Sequence, residues 1–138
     1  MNVPRVFDCK PIAYGKAEGP ALVSGEAICF YLVEPDTGKM IERGHDLENQ
    51  SLAGTVLVVP SGKGSSVVQM DGLFKIVRKG KGPAALVVRD PDPVLASALL
   101  IMEIPSAFDA DPAFFEEVRG GDRIELDADA GRILLYRE

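Results

Sequence analysis

The chain has 138 residues, 46% of them apolar and 26% charged, with twenty-one acidic against fifteen basic side chains and a net charge of -6. That length suits one domain, residues 1–138, with a core that needs no disulfide or metal staples. The acidic balance argues against a general nucleic-acid binder, and no apolar run reaches the ~18 residues of a membrane span. The N-terminus, MNVPRVFDCK, lacks the apolar core of a signal peptide, so a cytoplasmic address is expected. Cys9 and Cys29 then read as reduced thiols in or near the core. With one histidine and two separated cysteines, the chain holds no self-sufficient zinc or iron-sulfur site.

In chain order, Arg5 to Tyr14 reads as a first strand and Glu18 to Ser24 as a second. Ala27 to Val33 is a third apolar segment, ended by the turn Pro35-Asp36-Thr37-Gly38. Met40 to Gly54 is polar and irregular apart from Ile41, Leu47 and Leu52, which predicts a long surface excursion. Thr55 to Val59 is apolar or β-branched without alternation, as in a strand covered on both faces. The loop Ser61-Gly62-Lys63-Gly64-Ser65-Ser66 follows, then a helix with Ser65 or Ser66 as its N-cap. Val67, Val68, Phe74, Ile76 and Val77 are expected on the inner side of that helix, and Lys75, Arg78 and Lys79 near its C-terminal end.

Pro83 to Val88 is a further short buried strand, so strand, helix and strand predict a parallel crossover. Asp90-Pro91-Asp92-Pro93 opens a helix from Val94 to about Met102, and Ile104 to Ala107 reads as another strand. Asp109 or Asp111 caps a short helix through Val118, and capping accounts for these aspartates without chemistry. Asp122 to Asp127 and Arg132 to Tyr136 form a closing hairpin. The fold class is α/β, with a β-rich shell from both termini around a short parallel sheet and two or three helices.

The loop from Ser61 to Ser66 carries the chemistry. N–H groups at a helix start, two glycines that admit a close ligand and hydroxyls at the cap can hold a carboxylate or phosphate, and Lys63 adds a charge. The usual P-loop spacing is missing. A tight turn with an ordinary serine cap fits the same pattern. A serine needs a base or electrostatic help to act, and His45 is the only histidine that could supply it.

Four segments, KAEGPALVSGEAICF (Lys16 to Phe30), EPDTGKMIERGHDLENQSLAG (Glu34 to Gly54), VLVVPSGKGSSVV (Val56 to Val68) and PAALVVRDPDPVLASALL (Pro83 to Leu100), together resemble the small subunit, or swivelling domain, of aconitase X. The resemblance spans nearly the whole chain. It implies a swivelling β/β/α fold and a hydro-lyase made of this subunit and a large subunit that carries the iron-sulfur cluster. The chain would be inactive alone and bind no cofactor by itself.

The resemblance makes Ser65 the expected proton-abstracting serine and Ser66 the second choice, with Ser61, Gly62, Lys63 and Gly64 shaping an anion pocket. The family dehydrates cis-3-hydroxy-L-proline in bacterial members and mevalonate 5-phosphate in archaeal ones. The chain's Ala, Val, Asp and Leu usage, without heavy Lys, Ile and Glu usage, leans toward the former. Two other functions compete: a small-anion-binding or regulatory module that kept the corner and lost catalysis, and a phosphohistidine carrier. A carrier needs a histidine in a Gly/Ser-rich loop, whereas His45 sits in RGHDLEN.

Overall fold

Eight strands form one sheet in the computed structural model, which describes residues 3–137. In chain order they are β1 (Arg5–Asp8), β2 (Lys10–Ala13), β3 (Lys16–Val23), β4 (Val56–Val59), β5 (Ala85–Val88), β6 (Ser106–Phe108), β7 (Arg123–Asp127) and β8 (Arg132–Tyr136). Three helices join them: α1 (Ser66–Arg78), α2 (Pro93–Ile101) and α3 (Pro112–Glu117). The spatial order is β1-β8-β7-β3-β4-β5-β6-β2. β3, β4, β5 and β6 run parallel, and β7, β8, β1 and β2 join antiparallel at the two sides.

Strand β3 is the hinge between the two regimes. Its first half, Lys16 to Pro20, pairs antiparallel with β7, while Ala21 to Val23 pair parallel with β4. The period-2 alternation of the buried strands then divides the core in two. Leu57, Val59, Leu86 and Val88 face α1, α2 and the long excursion, packing on Leu73, Ile76, Leu95 and Leu99. Val56, Val58, Ala85 and Val87 face the other way, onto Phe7, Phe114, Ile124, Leu126 and Ile133. Helices, parallel sheet and antiparallel strands thus form the β/β/α layers that the resemblance implied.

The crossover, the Asp92-capped helix and the closing hairpin stand where the sequence placed them, and Asp111 is the cap of α3. Four expectations change. The first strand is two strands, β1 and β2, parted at Cys9 and sent to opposite edges of the sheet. Pro11, which has no N–H to give a ladder, explains why β2 sits at an edge and carries an irregular register. Ala27 to Val33 forms a 3₁₀ turn over Phe30–Leu32, because Ile28, Phe30 and Val33 turn inward without strand alternation.

The excursion does more than cross the surface: Met40, Leu47 and Leu52 are buried in the helix-side core, while Ile41 is exposed. On α1 the buried residues are Gln69, Gly72, Leu73 and Ile76. Val67 and Phe74, expected inside, are 67% and 46% exposed. Their side of the helix turns away from the sheet.

Cys9 is buried between the two strand layers and Cys29 is half-buried; both are free thiols. Burial first, then the charges of Asp8 and Asp127, push the Cys9 thiol up from 9.0 to about 11. Below the unfolded value both states keep the proton. Between the two values the unfolded chain alone ionises, so this group's contribution falls as pH rises through that window. Thermal melts from pH 8 upward are expected to decline less steeply for Cys9→Ala than for the wild type. Parallel declines would contradict that origin.

Candidate active site

The serine loop leaves the carboxyl end of β4, where parallel α/β sheets gather their ligands. Its shape is held by backbone pairing with the segment after β3. Ile28 N–H donates to Ser61 O at 3.0 Å, and Lys63 N–H donates to Ile28 O at 2.9 Å. Gly64, at φ +104°, turns the chain into α1, a conformation that disfavours any side chain.

Ser65 is the N-cap. Its backbone is extended, and its Oγ accepts the Val68 N–H at 3.3 Å. The N–H groups of Ser66 and Val67 find no acceptor among the described residues, as is usual in a first helical turn. Both serines are exposed. An anionic oxygen on Ser65 therefore meets the Val68 N–H and the positive end of a thirteen-residue helix.

Lys63 leaves the same loop but is not a free cation. Its Nζ donates to Glu42 Oε2 at 2.8 Å, and that bond raises the lysine above its ordinary value. The pair ties the serine loop to the long excursion. Gly62 is closely backed by the loop's support: a Cβ there would stand 2.2 Å from Gln69 Oε1.

Gln69 escapes sequence reasoning because a polar residue on an apolar helix reads as solvent-facing. It is buried under the loop instead, where its Nε2 donates to Gly64 O at 3.0 Å and its backbone N–H to Ser65 O at 2.9 Å. Its Oε1 is buried and lacks a partner among the described residues. Gln69 thus clamps the carbonyls of the two residues that set the cap. The available signal was its position, four residues after Ser65 and three before Gly72, on the face that meets the core.

His45 lies apart from this chemistry. Its side chain is fully buried, with Nε2 3.0 Å from Ala27 O and Nδ1 accepting the Leu47 N–H at 3.1 Å. Asp46 Oδ1 also lies 3.1 Å from Nδ1, so both ring nitrogens are engaged within the excursion and the segment beside it. Neither nitrogen is left for Ser65 or Ser66. Asp46 beside it accepts from Ser24 Oγ and Gly25 N–H at 2.6 and 2.8 Å, and its own N–H donates to Glu26 Oε2 at 2.7 Å. Glu26, His45 and Asp46 come close enough to suggest a metal site, yet these bonds account for the grouping. The network fastens the excursion to the segment that frames the serine loop.

The thiols do not converge. Cys9 belongs to the layer between the strands, whereas Cys29 lies on the loop side, its Sγ near Gly64. A cluster held by three or four converging thiolates does not fit this donor set.

Residues 6–135 match the family model of the aconitase X swivel domain. The phosphomevalonate dehydratase small subunit of Methanocella arvoryzae is 38% identical over 125 residues, covering 90% of this chain and 94% of that protein. The Methanothrix thermoacetophila protein of the same name is 37% identical, with 87% of each chain covered. The crystal structure of Thermococcus kodakaraensis aconitase X in its holo-form superimposes with a TM-score of 0.88 at 30% identity, covering 96% of this chain and 99% of the matched one. A serine loop at the carboxyl end of the parallel strands, β/β/α layering and agreement along almost the whole length lead to one assignment: this chain belongs to the aconitase X swivel-domain family.

Proposed function

We propose that this chain is the small subunit of a mevalonate 5-phosphate dehydratase and that Ser65 is its proton-abstracting group. The observation that carries the reading is the exposed Ser65 hydroxyl, which caps α1 and already accepts the Val68 N–H. Substrate choice follows the relatives. Relatives 38%, 37% and 34% identical over 87–91% of this chain carry the phosphomevalonate dehydratase name, which supports the archaeal-type substrate over cis-3-hydroxy-L-proline. The opposite lean came from amino-acid usage, which tracks the growth habit of a host and not the shape of a pocket.

In the proposed reaction the Ser65 alkoxide takes a proton from the carbon next to the hydroxyl-bearing one. The C–H electron pair becomes the new C=C bond as the C–O bond breaks; the hydroxyl leaves as hydroxide, and the proton taken up by Ser65 then completes the released water and restores the alkoxide. The Val68 N–H and the helix dipole favour the alkoxide before the step. The first-turn N–H groups of Ser66 and Val67 face an anionic substrate group. An iron-sulfur cluster would supply the electrophile for the departing hydroxyl, and in this reading it would be held by the large subunit, since the donors here do not fit it.

The test is an anaerobic assay of this chain reconstituted with its large subunit, offering mevalonate 5-phosphate and cis-3-hydroxy-L-proline in parallel. Dehydration of the phosphorylated compound alone is the expected result. Turnover of hydroxyproline alone would overturn the substrate, and turnover of neither would leave the non-catalytic anion-binding module as the better reading.

A further inference from the structure

Helix α1 has two apolar sides. Gln69, Gly72, Leu73 and Ile76 are buried, while Val67, Met70 and Phe74, spaced three and four apart, form a second stripe. That stripe makes one wall of an open groove of about 390 Å³, whose other wall is Ala98, Ile101 and Met102 at the end of α2. Val67, Phe74 and Ile101 are 67%, 46% and 68% exposed, and neighbouring Leu100 is 54% exposed.

Helix α2 sharpens the point, because PVLASALLI contains no charged residue. An apolar helix that buries only one side is expected where something else covers the other. At the edge of the groove Asp71 accepts from Tyr31 Oη at 2.7 Å and pairs with Lys75 at 3.2 Å, a polar rim beside an apolar floor. One end of the groove is Ser66, next to the reacting serine.

We infer that the α1–α2 groove is the surface on which the large subunit seats. The inference rests on the reading above, in which Ser65 works on a substrate held against the partner. A partner that closes over Ser65 meets Ser66 and Val67 next, and the apolar stripe continues from there along α1. An occupant that leaves the serine open to solvent would not need a groove that begins at the serine. A second copy of this chain brings no electrophile to that place.

The test measures binding of the purified large subunit to this chain by titration calorimetry, with no substrate present. Phe74→Glu and Ile101→Glu are each expected to weaken association by tenfold or more, as at the centre of an interface. Val67→Glu, at a first-turn position that tolerates an acid, gives the same reading with little risk to folding. Val6→Glu, exposed on edge strand β1, is the control and is expected to bind like the wild type.

Wild-type affinity in Val67→Glu and Ile101→Glu, with unchanged circular dichroism, would overturn the proposal. So would a groove that holds a homodimer, seen as self-association lost in these variants while large-subunit binding stays intact. If the wild-type chain itself fails to bind the large subunit, the subunit reading falls and the groove assignment with it. Loss of substrate turnover with intact binding would instead fault the catalytic reading alone.

Discussion

Ser65→Ala in the assembled enzyme is expected to lower turnover by roughly 10²–10⁴-fold, the range for removing a positioned general base. Assembly with the large subunit and binding of substrate should persist, because the hydroxyl is exposed and its only bond among the described residues is the cap to Val68. The same change removes a helix cap worth about 1 kcal/mol, so a small fall in melting temperature should accompany the loss of rate. Ser65→Gly separates the two effects, since glycine at an N-cap costs only a few tenths of a kcal/mol and is equally unable to take a proton. Ser66→Ala is expected to keep turnover within a few-fold, because that exposed hydroxyl makes no bond among the described residues, whereas Ser65 Oγ and Gln69 hold the loop. Equal losses at the two serines would point to loop damage, not to a base.

The second large effect falls on Gly72, in the middle of α1. Replacing an exposed mid-helix glycine with alanine ordinarily stabilises by about 1 kcal/mol. Here the sign reverses. A Cβ at Gly72 would lie 2.7 Å from both Phe30 C and Tyr31 N, backbone atoms of the 3₁₀ turn that packs against the helix. Neither backbone can yield without moving α1 or the Ile28–Gly62 pairing that frames the serine loop.

Gly72→Ala is therefore expected to destabilise by about 1–3 kcal/mol, as overpacking does, and to lower the activity of the reconstituted pair with it. Gly72→Val should be worse. Urea titrations of the isolated chain check the first claim, and a stabilised Gly72→Ala would contradict the close approach. Gly62→Ala offers a local comparison, because its obstacle is the Gln69 amide, a side chain that can turn aside. Its stability loss should be smaller than that of Gly72→Ala and its effect on turnover larger.

The order of elements was legible because each punctuation mark has a local cause: Pro60 and two glycines after β4, Asp92-Pro93 at α2, and Asp111-Pro112 at α3. What the sequence hid was which side of an element faces inward. Apolar residues wrap more than half of α1, so periodicity alone could not choose between the Leu73–Ile76 face and the Val67–Phe74 face. The 3₁₀ turn at Phe30 makes that choice through Gly72, whose backbone it approaches closely.

The excursion was hidden for the opposite reason. Met40, Leu47 and Leu52 enter the core from irregular backbone, where no period announces burial. His45 looked available because the only histidine in a polar loop resembles a base. Its two ring nitrogens prove to hold Ala27 and Leu47. The serine loop itself was readable in outline, but Gln69 and Glu42, which hold it from below and from the side, lie in other parts of the chain's pattern. Contacts of that kind become visible only in three dimensions.

The most direct measurement is an anaerobic titration of the purified large subunit with this chain, following dehydration of mevalonate 5-phosphate. If this chain supplies the proton-abstracting serine, the large subunit alone is inactive and activity saturates at one small subunit per large one. Full activity of the large subunit alone, or saturation unaffected by Ser65→Ala, would contradict the account.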